Sequence, residues 1–513
     1  MKLSKNPITI FLIFTTIVLF AGTTRAEINL PSVIGDHMVL QRDMPVPIWG
    51  WSAPGQSVTI QFEAQKVTGQ ADDTGKWMVH LDPLAAGGPH EMSIQAGDDQ
   101  RILTDILVGE VWLCTGQSNM DMRLEKVADA QAEIAAADHP NLRLFRVERA
   151  MSDEPQDHVK AKWAASTPHD AAKFSAAGYF LGRDLQKELN VPVGLLHCAY
   201  GGTPAEAWVS REALEAKPSL SSIVAKQFAK EKKHEQELVK YQQAVDQGHA
   251  SAEEPASILD RHNPWVLYNA MLHPLIPYAV RGATWYQGES NVWHSHQYRP
   301  LLTTLIEDWR SRWGQPHMPF GIVQLPNYVN PPRVPRGDFS WAELRESQLQ
   351  VSQDLPEVGL VVTIDIGDPT DIHPLNKQDV GKRLAAWALS SVYGRDIASS
   401  GPVFREASFE GNKVILSFDH VGSGLTARGD GPLKGFVIAG PDRKFRWANA
   451  EVVGDQIVVW EKKVAQPLAV RYAWDENPYW ANLINADDLP ATPFRTDDWP
   501  GITEHNPTDP WVR

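Results

Sequence analysis

Four apolar, strand-like runs in this 513-residue chain each end in a turn rich in small and polar residues. Val108 to Cys114 leads to Gly116-Gln117-Ser118-Asn119, and Val193 to Cys198 leads to Gly201-Gly202-Thr203. Gly282 to Tyr286 leads to Gln287-Gly288-Glu289-Ser290-Asn291, and Val358 to Ile366 leads through Gly367-Asp368 to Asp371-Ile372-His373-Pro374. In an open parallel sheet, ligands bind beyond the carboxyl ends of the strands, so these turns are expected to share one rim. Acyl transfer needs a nucleophile, a base, a group that orients the base, and donors for the developing oxyanion. Ser118 supplies the hydroxyl. His373 is the base, because imidazole titrates near neutral pH. Asp371 is the nearest acid that could fix the tautomer and stabilise the imidazolium. Asp368 and Asp365 are alternatives, and a Ser-His dyad is another. The expected oxyanion donors are the amides of Ser118 and Gly202 and a side-chain amide from Gln287 or Asn291. Glu289 is expected to support the serine loop.

Each signal has a bland reading. Ser118 could cap a helix, Gly201-Gly202 could be only a tight turn, and His373 could be a hydrogen-bonded loop residue. Together, in order and each after a strand-like run, they are far more specific. His294-Ser295-His296, with Glu289 nearby, has the spacing of metal ligands, but so short a motif is common by chance. No metal and no cofactor is expected, and Trp293 is expected to line the cleft.

The elements that must position these residues can also be read. Residues 27–105 hold short alternating runs, Val58 to Phe62, Trp77 to Leu81 and Met92 to Ile94, separated by Pro54-Gly55, Asp73-Thr74-Gly75 and Gly87-Gly88-Pro89. This predicts a β-sandwich. Residues 106–395 alternate strand and helix, with helical stripes over Phe174 to Leu189, Leu301 to Trp313 and Lys377 to Tyr393. A parallel sheet covered by helices on both faces follows. A Lys-, Glu- and Gln-rich stretch at about 211–262 reads as a helical insertion with a solvated face. Residues 400–513 return to β pattern.

Residues 1–26 combine Lys2 and Lys5, an apolar run from Ile8 to Gly22, and Thr24-Arg25-Ala26. This reads as a secretory signal cleaved near Glu27, with the mature chain exported or periplasmic and off the membrane. The formal net charge is -15, and losing Lys2, Lys5 and Arg25 makes it more negative, which argues against nucleic acid as a partner. Cys114 and Cys198 form no CxxC pair and read as buried thiols, with a disulfide open if their strands are neighbours. Most of the 19 tryptophans are expected in cores.

The segments Gly116 to Met120, Gly202, Trp285 to Asn291 and Asp371 to Pro374 resemble the blocks of SGNH hydrolases. More narrowly they are similar to the sialate O-acetylesterase family and its bacterial carbohydrate acetylesterase relatives. Asp36 to Arg42 and Pro493 to Asp497 also look typical of that family. The resemblance implies a flavodoxin-like α/β/α catalytic domain with β-rich companions, Ser118 as nucleophile and His373 as base. It implies hydrolysis of acetyl esters on a sugar, sialate 9-O-acetylesterase-like, with xylan or xyloglucan as the alternative substrate. Two departures stand out. The usual Asp-x-x-His spacing is not met, because Thr370 stands three before His373. The usual Gly-x-Asn-Asp block is replaced by Gly288-Glu289-Ser290-Asn291. A non-catalytic carbohydrate-binding protein is the reading from another class.

Overall fold

A computed structural model describes residues 27–247, 253–332, 334–335 and 337–505. The signal segment expected at 1–26 lies outside the described residues.

Strand β1, Asp99–Gly116, organises the molecule. Its first half pairs antiparallel with Gly87–Ala96, which pairs in turn with Ser57–Phe62. Its second half is buried throughout from Ile106 and runs as the middle strand of a second sheet. One strand therefore crosses the residue-105 boundary drawn from the sequence. Alternating residues in the first half cover one face only. The unbroken apolar run after Asp105 marks burial on both.

The later strands are β2 (His139–Arg146), β3 (Val193–Ala199), β4 (Gly282–Tyr286), β5 (Phe320–Val323) and β6 (Val358–Val361). Their spatial order is β6-β5-β4-β1-β3-β2, all parallel, with a short antiparallel edge strand, Trp163–Ser166, beyond β2. Helices α1 (Ala176–Leu189) and α5 (Gln378–Ser391) cover one face. Helices α3 (Ser295–Arg312) and α4 (Ser340–Asp354) cover the other. The molecule is thus mixed α/β, with a central sheet of mainly parallel strands and additional β-rich regions. Between α1 and α3 in chain order comes α2 (Ser221–Asp246), a long helix with only Val224 and Gln227 buried. The apolar stripe Leu181, Leu185 and Leu189 sits on α1, whose N-cap Ser175 accepts the Gly178 N–H at 3.1 Å.

Cys114 and Cys198 lie on adjacent strands, yet both thiols are free. The register explains this: Cys198 stands opposite Thr115 and Cys114 opposite His197. Side chains one position apart point to opposite faces, and the thiols enter separate cores.

The flanking β regions are tied to the sheet through buried ions. Glu110, fully buried, accepts from Gln41 Nε2 at 3.0 Å, Arg42 Nε at 2.6 Å and Arg281 Nε at 2.8 Å. At the other end Arg345, also fully buried, donates to Leu325 O, Pro326 O, Asp475 O and Glu476 O at 2.6 to 3.0 Å. Among the described residues, the exposed large apolar side chains include just two tryptophans, Trp293 and Trp447, so most of these rings are structural.

Candidate active site

Gly116 ends β1 at φ +138°, and a Cβ there would lie 2.2 Å from Tyr286 O on β4. Only glycine permits that approach. The chain then turns sharply: Gln117 N–H donates to Tyr286 O at 3.0 Å, and residues Ser118–Asp121 form one helical turn. Ser118 is thereby presented at the first position of a helix, where backbone N–H groups lack intrahelical partners.

His373 Nε2 lies 2.8 Å from Ser118 Oγ, across 255 residues of sequence. Asp371 Oδ1 accepts the His373 backbone N–H at 2.8 Å and stands 3.3 Å from His373 Nδ1. The Asp371 side chain is 58% exposed and that of His373 39%. The other acids have different work. Asp368 Oδ1 accepts Thr370 N–H, Thr370 Oγ1–H and Asp371 N–H at 2.7, 2.7 and 3.1 Å, which shapes the turn before the histidine. Asp365 is paired with Arg383 and Arg428 at 2.7 and 2.8 Å, away from the imidazole.

The Gly201-Gly202 turn packs on the serine, and a Cβ on Gly201 would fall 3.3 Å from Ser118 Cβ. Gly202 has φ +72°, the left-handed region that glycine tolerates, and its N–H makes no hydrogen bond among the described residues. Gln287 and Asn291 hold this turn from behind. Gln287 Nε2 donates to Thr203 O at 3.1 Å and to Asn291 Oδ1 at 2.7 Å, while its Oε1 accepts from Tyr298 Oη at 2.8 Å. Asn291 Oδ1 also accepts the Ala205 N–H at 3.0 Å, and its Nδ2 donates to Glu206 at 2.9 Å. Both Gln287 amide hydrogens are therefore engaged within the loop and do not point at Ser118.

Glu289 is buried and accepts from Asn119 Nδ2 at 2.6 Å. Burial raises its pKa. Asn119 and Lys377, which carry the rest of this network, gave no sequence signal beyond lying next to candidate residues. His294 and His296 have ring centroids 6.5 Å apart and line a separate cavity of about 910 Å³ with Glu206, Asn291 and His262. Among the described residues no three His, Cys, Asp or Glu side chains gather as a metal site. Arg261 is a second feature that the sequence did not place. Its guanidinium lies over the Tyr200 ring at 5.7 Å, and Nη2 would be 3.6 Å from a Cβ on Gly202. Its Nε is buried without a hydrogen-bond partner among the described residues.

The sequence profile of the family described as "Carbohydrate esterase, sialic acid-specific acetylesterase" matches residues 108–390, which contain every residue of this site. The chain belongs to that family. It is 30% identical to the sialate O-acetylesterase of Mus musculus, over 90% of this chain and 93% of the relative. It is 29% identical to the Homo sapiens sialate O-acetylesterase, over 92% and 93%. A crystal structure of a carbohydrate acetylesterase from Xanthomonas citri superposes with a TM-score of 0.79 at 40% identity, covering 92% of this chain and all of the other. As a member of the sialic acid-specific acetylesterase family, the chain is a carboxylic ester hydrolase of the carbohydrate acetylesterase kind.

Proposed function

We propose that this esterase removes O-acetyl groups from a sugar by Ser-His-Asp acyl transfer on a flavodoxin-like SGNH scaffold. The scaffold reading is supported by the six parallel strands, which stand 2-3-1-4-5-6 in chain order and, with the outer strand β2 set aside, 2-1-3-4-5. The mechanism is carried by one observation, the 2.8 Å contact between Ser118 Oγ and His373 Nε2 beside the glycine turn. His373 takes the hydroxyl proton as Ser118 Oγ bonds to the acetyl carbon. The oxyanion is met by the N–H groups of Ser118 and Gly202. The sugar oxygen leaves with the proton from His373. Water, deprotonated by the same imidazole, then attacks the acyl-serine and acetate departs. Gln287 and Asn291 act here by fixing the Gly202 turn, and Asp371 orients and stabilises the imidazolium. Ser118→Ala should abolish acetate release from p-nitrophenyl acetate and from an acetylated sugar at an unchanged Tm. Retained turnover would remove Ser118 from the reaction.

For the substrate we favour a sialate 9-O-acetyl ester, because Arg261 offers a partly buried donor group with no acidic partner among the described residues. A guanidinium beside the glycine turn suits a sugar carboxylate. A hemicellulose acetyl ester is the second reading, favoured by the large cavity next to Asn291 and Glu206. Arg261→Gln should lower kcat/KM on O-acetyl sialate about 10²-fold. An equal loss on neutral acetyl-xylan or acetyl-xyloglucan would favour the second reading. The expected signal segment supports action outside the cytoplasm.

A further inference from the structure

The Ser118–His373 contact joins loops from opposite ends of the catalytic region, and the histidine loop has little structure of its own. Residues 362–377 contain no strand or helix, and Asp371 is exposed. Its attachments to the serine side are therefore what set the distance between hydroxyl and imidazole. Leu375 O accepts the backbone N–H of Ala128 at 3.0 Å, and the side-chain bonds nearest the histidine converge on Asn119, the residue after the nucleophile, and on Lys377. Asn119 Nδ2 donates to Ile372 O at 3.1 Å, one residue before the histidine. Lys377 Nζ donates to Pro374 O at 2.6 Å, one residue after it. The same Nζ donates to Asn119 Oδ1 at 2.9 Å. Asn119 is fixed in turn by Glu289 Oε1 at 2.6 Å.

Lys377 is fully buried and lies 5.5 Å from the centre of the Tyr286 ring. Its carboxylate neighbour Glu289 reaches it only through Asn119, with no direct ion pair. Burying an ammonium without a contacting counter-charge is costly, and an apolar side chain would fill the space without that cost. A lysine held there at such expense points to its donors being needed.

We propose that Lys377 is a positioning residue: bonded at once to Asn119 and Pro374 O, it holds the histidine loop within hydrogen-bond reach of Ser118. The proposal rests on the Ser-His reading of the site. Burial pushes the Lys377 pKa down to about 7, against the opposing charges of Glu289 and Asp371. The clamp tolerates this, since a neutral amine still carries two N–H groups for its two acceptors.

The test compares Lys377→Met, Lys377→Gln and Ser118→Ala in the full chain. A displacement of about 1 Å at reacting groups costs on the order of 10²-fold. Lys377→Met should therefore lower kcat about 10²-fold with KM for an acetylated sugar within about threefold. The rate of Ser118 labelling by diisopropyl fluorophosphate should fall in parallel, while the final stoichiometry stays at one per chain. Lys377→Gln, which keeps an amide NH2 on a side chain one atom shorter and cannot span both acceptors, should lie between, at a loss of about tenfold. Adding Asn119→Leu to Lys377→Met should cost little more, because the two side chains act as a unit. The idea is overturned if kcat and labelling rate in either Lys377 variant stay within about threefold of the parent. It is also overturned if the loss reflects only a smaller labelled fraction and a lower Tm. Should Lys377→Met not fold, the Gln variant decides by the same criteria. Turnover by Ser118→Ala would instead sink the underlying mechanism, a result distinct from either.

Discussion

At the scale of single residues, the site departs from a buried triad in the exposure of its acid. Asp371 is 58% exposed and 3.3 Å from the imidazole, and its shorter bond goes to the histidine backbone at 2.8 Å. In solvent the charge it offers the imidazolium is screened. Removing a buried triad aspartate costs about 10⁴ in turnover. Asp371→Asn should cost less, about 10- to 10²-fold in kcat, because the asparagine oxygen can keep the backbone bond. Asp368→Asn should cost less again, since its Oδ1 still accepts the three donors that shape the turn. Steady-state kinetics of the two variants at matched Tm test the ranking, and a larger loss for Asp368→Asn would refute it. Ser118 and His373 could be read from sequence because chemistry restricts their types and each follows a strand. The side-chain amides were harder. Gln287 and Asn291 have the same donors whether they face an oxyanion or brace a loop, and only coordinates show where those donors go.

At the scale of elements, the strands and helices that present the site were legible because their burial is periodic. Val193 to Cys198 and Gly282 to Tyr286 became β3 and β4, and the stripes on α1 and α5 face the sheet. Strand length was less legible. β6 stops at Val361, where an expected strand ran to Ile366. Arg383 explains the break, since it donates to Val362 O and to Asp365 at 2.6 to 2.7 Å and draws the chain out of the sheet. That competition comes from 18 or more residues away, outside any local window. The junction of β1 and the serine turn is the least tolerant point. Gly116→Ala would push a Cβ to within 2.2 Å of the Tyr286 carbonyl and force a left-handed φ on alanine. We expect a Tm drop of several degrees and a loss of esterase activity larger than the lost folded fraction explains. Circular dichroism melts alongside turnover per folded chain would check it, and an unshifted Tm would contradict the packing argument.

At the scale of the whole molecule, segments that look typical of the family but lie far from Ser118 turn out to join the β regions to the sheet. Gln41 and Arg42 bind Glu110 on β1, and Arg495 pairs with Glu346 on α4 at 2.7 Å, while the Asp497–Arg471 pair at 2.6 Å lies within the C-terminal β region. The chain thus behaves as one tied body, and a buried titration inside the sheet should be felt in global stability. His197 on β3 is such a group. It is fully buried, neither ring nitrogen has a hydrogen-bond partner among the described residues, and Asp121 Oδ1 stands 3.6 Å from Nε2. Burial pushes its pKa down to about 4, with Asp121 opposing and Arg146 and Arg149 adding to the fall. An unfolded chain takes up this proton near pH 6.5, the native one only near pH 4. Between those values the unfolded state holds more protons, so stability declines as pH falls from about 6.5 to about 4 and this contribution is spent below that. The full span corresponds to about 3 kcal/mol, an upper figure for a buried group. Asp475, whose pKa burial raises to about 6, titrates in the same range with the opposite sign. The difference between parent and His197→Gln is therefore the quantity to measure. Urea midpoints at pH 7 and pH 4.5 should converge for the two proteins at the lower pH, with the variant losing less on acidification. Parallel declines would show that this histidine is not what acid attacks.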